Sequence, residues 1–489
     1  MKIADGAAPR TGVGTFGPKR ILAVPLRRAL NQVRQDVRRV RTPGSFARNT
    51  FHVFSGNSLS MLSQLILTPI IARIYGPEAY GVFGLFTALM MNLASFGDFG
   101  YTMAYVLPRD EDRFRDLVRL NLGLTASACG LFFLVTLNRD LVYDLLPGWR
   151  PLGPWIHLVA VVAGCYTLSV MATQWLTRAK LFKRSAFTGA TIEISLRLFN
   201  LVYGIVSKAQ VTGLILADVV VRLGIVPVYA HGVRNHGLRE VLSNWRWERI
   251  RSIALEYRRY PLLVFPERWV SLLGTQLPIF MLASDLESVG RYSLGASLLL
   301  MPLRLLGFSM NTVYLQRVAE IRNAADGELQ RITRGLYQRL FWIGIGPFLL
   351  LTFFSDEAFA VVFGEPWRGA GTATAYLGGF FFFRLITEPM ISVFNVLGRE
   401  HVMLVFQIII NIFRFLALYL VLNSGADSDA AILAYGLVSM AGYVILNTIL
   451  LNATRCNGAQ LVFRSVMIML LFAALTSGLR FAILGTWWP

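Results

Sequence analysis

The sequence predicts an all-α polytopic membrane protein made of two parallel-repeat six-helix bundles, with a possible further helix at the C-terminus. Composition, the spacing of apolar stretches and an internal repeat support this prediction. The chain has 489 residues, of which 55% are hydrophobic and 15% charged, whereas soluble proteins carry about 25% charged residues. Apolar stretches of roughly 20 residues, the length that crosses a hydrocarbon core, recur from Phe51 onward.

The internal repeat relates Phe51–Leu107 to Tyr260–Gln316 by a constant offset of 209 positions, without a gap. Each window has an apolar run with a proline near its end, a short polar turn and a second apolar run. The aligned pairs include Pro69 with Pro278, Glu78 with Glu287, Gly81 with Gly290, Phe99 with Phe308 and Tyr105 with Tyr314. Transporters built from two repeats place their substrate site at the repeat interface.

The apolar stretches predict twelve core spans in two sets of six. They lie near Thr50–Tyr75, Tyr80–Leu107, Leu117–Leu137, Pro154–Leu176, Ala186–Val206, Val211–Ala230, Pro261–Ala283, Val289–Tyr314, Leu340–Phe354, Thr372–Leu397, Val402–Leu422 and Ala430–Leu451. A thirteenth stretch, Leu461–Leu484, is interrupted by Arg480 and is treated as a possible additional span.

The distribution of lysine and arginine predicts the orientation. The N-terminal tail and the connections on its side of the membrane carry 34 of these residues, and the opposite connections carry 5. The positive-inside rule therefore places the N-terminus in the cytoplasm. Since each half has six spans, both halves insert in the same orientation. The rule also accounts for most of the net charge of +19, so no nucleic-acid partner is predicted.

The same pattern divides the chain into five segments. Residues 1–49 form a basic cytoplasmic tail, in which apolar residues at helical spacing predict an amphipathic helix on the anionic leaflet; the alternative is a disordered basic tail. Residues 50–232 and 260–454 form the two six-helix lobes. Residues 233–259, with two tryptophans among arginines, form a cytoplasmic interfacial linker. Residues 455–489 form an additional hydrophobic segment.

The sequence contains no motif for enzymatic chemistry. A GxxxxGK[ST] phosphate loop, an HExxH motif and a clustered Cys/His ligand set are all missing. The three cysteines, Cys129, Cys165 and Cys456, are far apart and suggest neither a disulfide nor a metal site. We therefore predict a protein that is not an enzyme, without cofactor or metal.

Charged residues inside the predicted spans are the candidate functional residues. They are Asp98, Glu193, Arg197, Asp218, Arg222, Glu267, Arg268, Arg304, Arg384, Glu388 and Arg414. A charge at a helix centre costs about 2.5–3.5 kcal/mol on insertion scales, so these side chains must face one another or a hydrated cavity. Glu193 with Arg197, Asp218 with Arg222, and Arg384 with Glu388 are four residues apart, on one helix face.

Two interpretations of these charges remain open. The acids Asp98, Glu193, Asp218, Glu267 and Glu388 could neutralise neighbouring arginines, or couple transport to an ion gradient. The arginines could instead line a cavity that binds an anion, because a guanidinium grips phosphate at two points and stays charged. Arg304 and Arg414 have no acid at helical spacing and are the stronger candidates. Arg197, Arg222, Arg384, Arg268 and Arg73 complete the set.

Three prolines are candidate hinges. Pro69 and Pro278 occupy the same position in the first span of each half, and Pro302 precedes Arg304. Proline is tolerated in membrane helices for ordinary structural reasons. Its repeated position favours a second interpretation, in which these sites bend as the halves rock.

Several segments resemble a known family. Leu65–Phe86 is similar to the opening of oligosaccharide flippases in the multidrug/oligosaccharidyl-lipid/polysaccharide (MOP) exporter superfamily, with matching Pro69, Arg73, Gly76, Tyr80 and Gly81. Ser284–Leu306 and Phe363–Gly371 resemble connections in the second half of that family. Flippases of the peptidoglycan precursor carry an arginine at the place of Arg73.

The resemblance implies alternating access by two bundles around a central cavity. It implies that an undecaprenyl-diphosphate-linked oligosaccharide crosses the bacterial inner membrane for O-antigen, capsule or exopolysaccharide assembly. The implied partners are this lipid-linked sugar, membrane lipids, and a polysaccharide polymerase with a chain-length regulator.

Three other classes remain as alternatives. A multidrug-type cation or small-molecule antiporter would share the fold, but its cavity should be rich in acids rather than arginines. An integral-membrane glycosyltransferase or polymerase would need a sizeable catalytic outer loop, and the connections here are short. A structural scaffold would not explain the charges placed inside the spans.

Overall fold

The computed structural model describes residues 46–207, 211–320, 327–399 and 401–489. The predicted amphipathic helix of the tail lies outside these residues. All regular elements within them are helices, so the predicted all-α class is confirmed.

The first half consists of a long bent helix, α1 (Phe46–Asp98), and four further long helices. These are α2 (Glu111–Leu137), α3 (Ile156–Arg178), α4 (Phe182–Val206) and α5 (Val211–Val233). Short helices at Tyr101–Ala104, Arg139–Leu145 and Pro147–Trp155 connect them. The linker contains a turn at Arg234–His236 and two helices, α6 (Leu238–Ser243) and α7 (Trp247–Glu256).

The second half begins with a π-helical turn at Tyr260–Val264 and contains seven long helices. They are α8 (Phe265–Met281), α9 (Leu286–Glu320), α10 (Glu328–Phe363), α11 (Arg368–Thr387), α12 (His401–Asn423), α13 (Ser428–Ala453) and α14 (Gly458–Leu484). Short turns at Glu365–Trp367, Glu388–Met390 and Val393–Val396 flank α11. We call the face that carries α6 and α7 the linker face, and the other the opposite face.

Within the described residues, nine helices are long and apolar enough to cross a membrane. The helices α8, α9 and α11 fall outside this set. The first, α1, supplies two predicted spans. Three helices depart from the predicted boundaries by nine residues or more. The helix α1 ends at Asp98 rather than Leu107, α10 runs from Glu328 to Phe363 rather than from Leu340 to Phe354, and α11 ends at Thr387 rather than Leu397. Pro389 explains the early end of α11, because it lacks the N–H that a continuing helix would need.

The sharp bend of α1 lies at Gly76. Its φ of +73° belongs to the left-handed region, which glycine adopts without steric cost. Residues 46–75 form one limb and residues 77–98 return as the second. By contrast, the helices run continuously through Pro69, Pro278 and Pro302. The bend is therefore not at a predicted hinge, and movement at those prolines stays a prediction.

The proline in α8 leaves a backbone acceptor that another helix satisfies. Pro278 has no N–H to give to the carbonyl of Gly274, four residues earlier. The Tyr435 hydroxyl of α13 donates to that oxygen at 2.8 Å. This bond joins α8 to α13 and removes the penalty of an unsatisfied buried carbonyl.

The helix α11 forms the centre of the second bundle. Four consecutive residues, Phe380 to Phe383, are each no more than 2% exposed. A helix that buries apolar residues on all sides belongs in the interior of a bundle. Thr387 and Asn447 add a buried hydrogen bond of 2.7 Å between α11 and α13.

The thirteenth apolar stretch, treated above as a possible additional span, is one continuous helix, α14, that is long and apolar enough to cross a membrane and that contains Arg480. Its guanidinium donates to both carboxylate oxygens of Asp356 in α10, at 2.7 and 2.6 Å. Both side chains are buried. The two-point ion pair neutralises Arg480 and joins α14 to the second bundle.

Candidate functional site between the two bundles

The two halves meet where α1 crosses α9 near the opposite face. A Cβ atom at Gly81 would lie 1.9 Å from the carbonyl oxygen of Leu286, and one at Gly290 would lie 1.9 Å from that of Pro77. These contacts are reciprocal, because Pro77 and Leu286, like Gly81 and Gly290, are separated by the repeat offset. At the crossing, the two halves therefore contact each other through equivalent residues of the repeat, in a two-fold arrangement.

A third pair continues this crossing one turn along both helices. A Cβ atom at Gly84 would lie 2.6 Å from the hydroxyl oxygen of Ser293, which is its repeat equivalent. We call Gly81, Gly84, Gly290 and Ser293 the glycine crossing. Since the backbones touch directly, a side chain larger than hydrogen at Gly81 or Gly290 requires them to separate.

The start of α9 beside this crossing is fixed by Asp285. Its carboxylate accepts from the Ser428 hydroxyl at 2.6 Å and from the Ser288 N–H at 3.2 Å. Burial raises the pKa of Asp285, but these hydrogen bonds and Arg291 outweigh it and hold the pKa below its usual value. The charged form therefore caps the N-terminus of α9, where a negative charge is favourable.

Two polar contacts close the same end of the interface. Arg73 donates from Nε to the Val362 carbonyl at 3.0 Å and from Nη2 to the Val361 carbonyl at 2.5 Å. Trp367 Nε1 donates to the Ala72 carbonyl at 2.9 Å. Arg73 thus caps the C-terminal end of α10, where a cation satisfies free carbonyls. Its predicted contact with substrate stays a prediction.

The second limb of α1 also contacts α8 along what we call the first seam, residues 92–99 with 265–276. The Asn92 side chain donates to Gln276 Oε1 at 2.5 Å and accepts from Trp269 Nε1 at 3.0 Å. Phe96 packs edge-on against Phe265 and Trp269, with ring centroids 5.3 and 5.1 Å away. Sequence reasoning missed Asn92 and Gln276 because it searched the spans for charges.

The repeat equivalent of this contact is residues 56–67 with 301–308; we call the slightly longer ranges 56–70 and 297–315 around it the second seam. No hydrogen bond or ring contact joins these two ranges among the side chains that the structure describes. Several residues on the α1 side are exposed, among them Leu62 at 54% and Ile66 at 62%. Among the described side chains, the interface therefore has polar and aromatic links along the first seam and none along the second.

Arg304 lies within the second seam. Its side chain is exposed, and it forms no ion pair or hydrogen bond within the described part of the chain. It shares one face of α9 with Gly307 and Asn311. Asn311 donates to the Pro389 carbonyl and to Ser392 Oγ, both at 3.1 Å, and a Cβ atom at Gly307 would lie 3.6 Å from Glu388 Cγ. The face carrying Arg304 is thus held against the end of α11, and the guanidinium has no partner among the described residues.

The three ion pairs expected from helical spacing all form. The shortest nitrogen–oxygen distances are 2.9 Å for Arg197 with Glu193, 2.7 Å for Arg222 with Asp218 and 3.3 Å for Arg384 with Glu388. Glu193 and Glu388 are each at least 40% exposed, whereas Asp218 is buried. In this conformation Arg197 and Arg222 are therefore neutralised within their own helices, and Arg384 is neutralised by the first residue of the turn that follows α11.

The remaining charges lie near the linker face. Arg268 approaches Asp98 across the first seam, with a nitrogen–oxygen distance of 3.9 Å. Asp98 also accepts from the Thr102 N–H at 3.0 Å, which fixes the turn after α1. Glu267 is partly buried and forms no ion pair with a described residue.

Arg414 is placed differently from the prediction. Its side chain is 2% exposed inside the second bundle, so it does not line an open surface in this conformation. It donates to Ser439 Oγ at 2.8 Å and to Asn411 Oδ1 at 3.1 Å, and lies over the Phe380 and Tyr435 rings. Aromatic faces partly compensate a buried cation that forms no ion pair with a described residue. Helical spacing alone could not predict this position between aromatic rings.

Solved structures show the same arrangement of helices. An inward-facing multidrug resistance MATE family transporter of the MOP superfamily matches with a TM-score of 0.61 and 11% identity, over 86% of this chain and 98% of its own. The lipid II flippase MurJ, in an inward closed conformation, matches at 0.57 and 13%, over 89% and 99%. A MOP superfamily transporter from Pyrococcus furiosus, whose binding pocket is described as reversed in polarity, matches at 0.56 and 13%, over 83% and 96%. At these identities the likeness shows the fold, which is that of the MOP superfamily.

The sequence family is narrower than the fold. A family described as "Polysaccharide biosynthesis protein" matches residues 70–370, more than half of the chain. The chain belongs to this family. The predicted resemblance to polysaccharide flippases of the MOP superfamily is thereby confirmed. No curated protein matches the chain.

Proposed function

We propose that the protein is a flippase that moves undecaprenyl-diphosphate-linked oligosaccharide across the bacterial inner membrane by alternating access. The N-terminus and the linker lie in the cytoplasm, as the arginine distribution predicts. The glycine crossing is then an outer seal that opens when the halves rock. The family supports a role in polysaccharide biosynthesis, and the MOP fold supports transport.

The observation that carries the proposal is Arg304. A charged side chain within a membrane protein normally finds a partner, yet this guanidinium is exposed and unpaired within the described residues. A diphosphate offers the missing negative charge and accepts a two-point hydrogen bond from one guanidinium. Arg304 is therefore assigned to the diphosphate of the substrate.

The ion-paired arginines have a secondary role in this proposal. Arg197, Arg222 and Arg384 each keep an acid four residues away in sequence. Acidic sugars could draw Arg197 and Arg384 away from Glu193 and Glu388, which are partly exposed. Arg414 supports the second bundle from inside and does not touch substrate in this conformation.

The second seam provides the path for the lipid. A polyprenyl chain is apolar and is most stable in the hydrocarbon core of the bilayer. The polar sugar headgroup must stay out of that core. Among the described side chains, no hydrogen bond or ring contact links residues 56–70 to residues 297–315, the range that contains Arg304. The headgroup can thus reach the arginine while the lipid tail remains in the bilayer between the halves.

The proposal is tested in cells that lack the gene. Deletion should cause lipid-linked oligosaccharide to accumulate on the cytoplasmic leaflet, and the wild-type gene should reverse this. Arg304→Ala should fail to reverse it at a normal protein level, because the diphosphate loses its positive partner. The matched control Arg331→Ala changes an exposed arginine of the linker face and should behave as wild type.

Two results would count against this assignment. Full export with Arg304→Ala would remove Arg304 from the mechanism. Normal export in the deletion strain, together with greater sensitivity to cationic drugs, would favour a multidrug-type antiporter instead.

A further inference from the structure

We propose that the linker between the two bundles is a docking surface for anionic phospholipid headgroups. The surface, here the basic–aromatic collar, consists of the outward faces of α6, α7 and the residues between them. The proposal rests on the cytoplasmic placement of the linker. It concerns bulk lipid of the membrane leaflet rather than the transported substrate.

The collar is rigidly attached to the first bundle. Arg119 of α2 is buried, pairs with Asp116, and donates from Nε to the Val241 carbonyl at 3.0 Å and from Nη2 to the Glu240 carbonyl. One guanidinium thus satisfies two carbonyls at the end of α6. Its replacement would leave these acceptors and Asp116 without their partner.

Contacts along α7 complete the attachment. Glu256 pairs with Arg113 at 2.9 Å, and Tyr101 donates to the Ala254 carbonyl at 3.2 Å. Ile250 and Ile253 are both 4% exposed. One face of α7 therefore packs against the first bundle, and the opposite face is held pointing outward.

The outward face carries large apolar side chains. Trp245 is 49% and Trp247 76% exposed, and Leu242 and Leu255 are exposed by 61% and 57%. Trp247 and Leu255 lie two turns apart on one side of α7. Four large apolar residues on such a short segment are costly in water and are stabilised by contact with lipid.

The position of Trp245 places this surface at the membrane boundary. Its ring faces Gly123 of α2, where a Cβ atom would lie 3.9 Å from it. Gly123 is about 9 Å along the helix from Leu117, where the predicted apolar span of α2 begins. Tryptophan is enriched at this depth because its ring is apolar and its N–H is polar.

The charge of the collar selects anionic rather than zwitterionic lipid. Arg246, Arg249 and Arg251 are exposed, and none forms an ion pair with a described residue. Arg246 precedes Trp247 and Arg251 lies one helical turn after it, so these two guanidinium groups are beside the apolar anchor, whereas Arg249 adds positive charge on another side of the same helix. Arginines beside a membrane surface are attracted to anionic lipids, and this separates the occupant from a purely apolar protein partner.

The test uses the full-length protein in lipid nanodiscs of phosphatidylcholine with a minor share of phosphatidylglycerol. Bromine, which quenches tryptophan emission on contact, is placed on the acyl chains of either lipid at matched total content. Wild type should be quenched more strongly when phosphatidylglycerol carries the bromine. Trp245→Phe with Trp247→Phe should remove this excess, although eight tryptophans remain of the ten in the chain.

The charge requirement is tested separately. Arg246→Gln with Arg249→Gln and Arg251→Gln should lower the preference for phosphatidylglycerol by about fivefold per arginine. Arg139→Gln, an exposed arginine of the opposite face, is the control and should keep the preference of wild type. Equal quenching by both brominated lipids in wild type, or an unchanged excess in the triple variant, would overturn the proposal.

Discussion

Arginines inside this membrane protein differ mainly in the partners they find. Arg197, Arg222 and Arg384 bind acids one turn away, and Arg480 binds Asp356 on another helix. Arg304 finds none among the described residues. Because each arginine carries the same charge, the partner determines whether that charge fastens helices or remains available to an anion.

The Asp356–Arg480 pair should be the most stabilising of these contacts. Asp356→Asn leaves a buried guanidinium without its countercharge, which typically costs about 3–5 kcal/mol. Asp356→Leu combined with Arg480→Met removes both charges and should be closer to wild type. Thermal unfolding in detergent measures both. If the single variant unfolded at the wild-type temperature, the pair would not hold α14 in place.

Tyr435 should stabilise α8 through the carbonyl that Pro278 leaves free. Tyr435→Phe removes the donor to Gly274 and should destabilise the protein by about 1–3 kcal/mol. Tyr419→Phe is a matched control, because Tyr419 is 48% exposed. Unfolding by denaturant would reveal the difference. Equal stability of the two variants would mean that the carbonyl is satisfied in another way.

At the scale of elements, the crossing of α1 and α9 determines how closely the halves approach. The contact is made by backbone at Gly81 and Gly290, and by small residues at Gly84 and Ser293. Small residues let membrane helices approach closely and gain van der Waals contact. The crossing can therefore form without side chains that interlock and would resist separation.

Enlarging Gly81 should favour the state that is open at the opposite face. In a background without the three native cysteines, Ser293→Cys should react slowly with a membrane-impermeant maleimide, because the crossing covers it. Adding Gly81→Ala should speed this reaction, since the new Cβ atom cannot fit beside Leu286. Gly130→Ala is the matched control, because no atom lies within 4 Å of a Cβ atom there. An unchanged rate with Gly81→Ala would contradict the role of the crossing as a seal.

Interactions within one helix were predictable and those between helices were not. Spacing of four residues predicted the pairs of Arg197, Arg222 and Arg384, because one helical turn fixes the geometry. Nothing local predicts that Arg480 meets Asp356, that Arg73 caps α10, or that Arg414 lies between aromatic rings. These contacts depend on how helices distant in sequence pack together.

At the scale of the whole molecule, a symmetric repeat forms an asymmetric interface. The glycine crossing obeys the repeat offset of 209, but the first seam has hydrogen bonds and ring contacts that the described side chains of the second lack. The difference follows from the residues: Asn92, Phe96 and Trp269 have Met301, Leu305 and Ser60 as repeat equivalents. The repeat and the span pattern predicted the fold, whereas this divergence, which directs the lipid path, appears only in the packed structure.

The central claim is that the protein moves a lipid-linked diphosphate sugar and that Arg304 binds its diphosphate. The most direct measurement is translocation of undecaprenyl-diphosphate-linked oligosaccharide in proteoliposomes that contain the purified protein. Wild type should expose the sugar headgroup to an impermeant glycosidase on the far side, Arg304→Lys should retain part of this rate, and Arg304→Gln should lose it. A wild-type rate no faster than protein-free liposomes, or an undiminished rate with Arg304→Gln, would contradict the account.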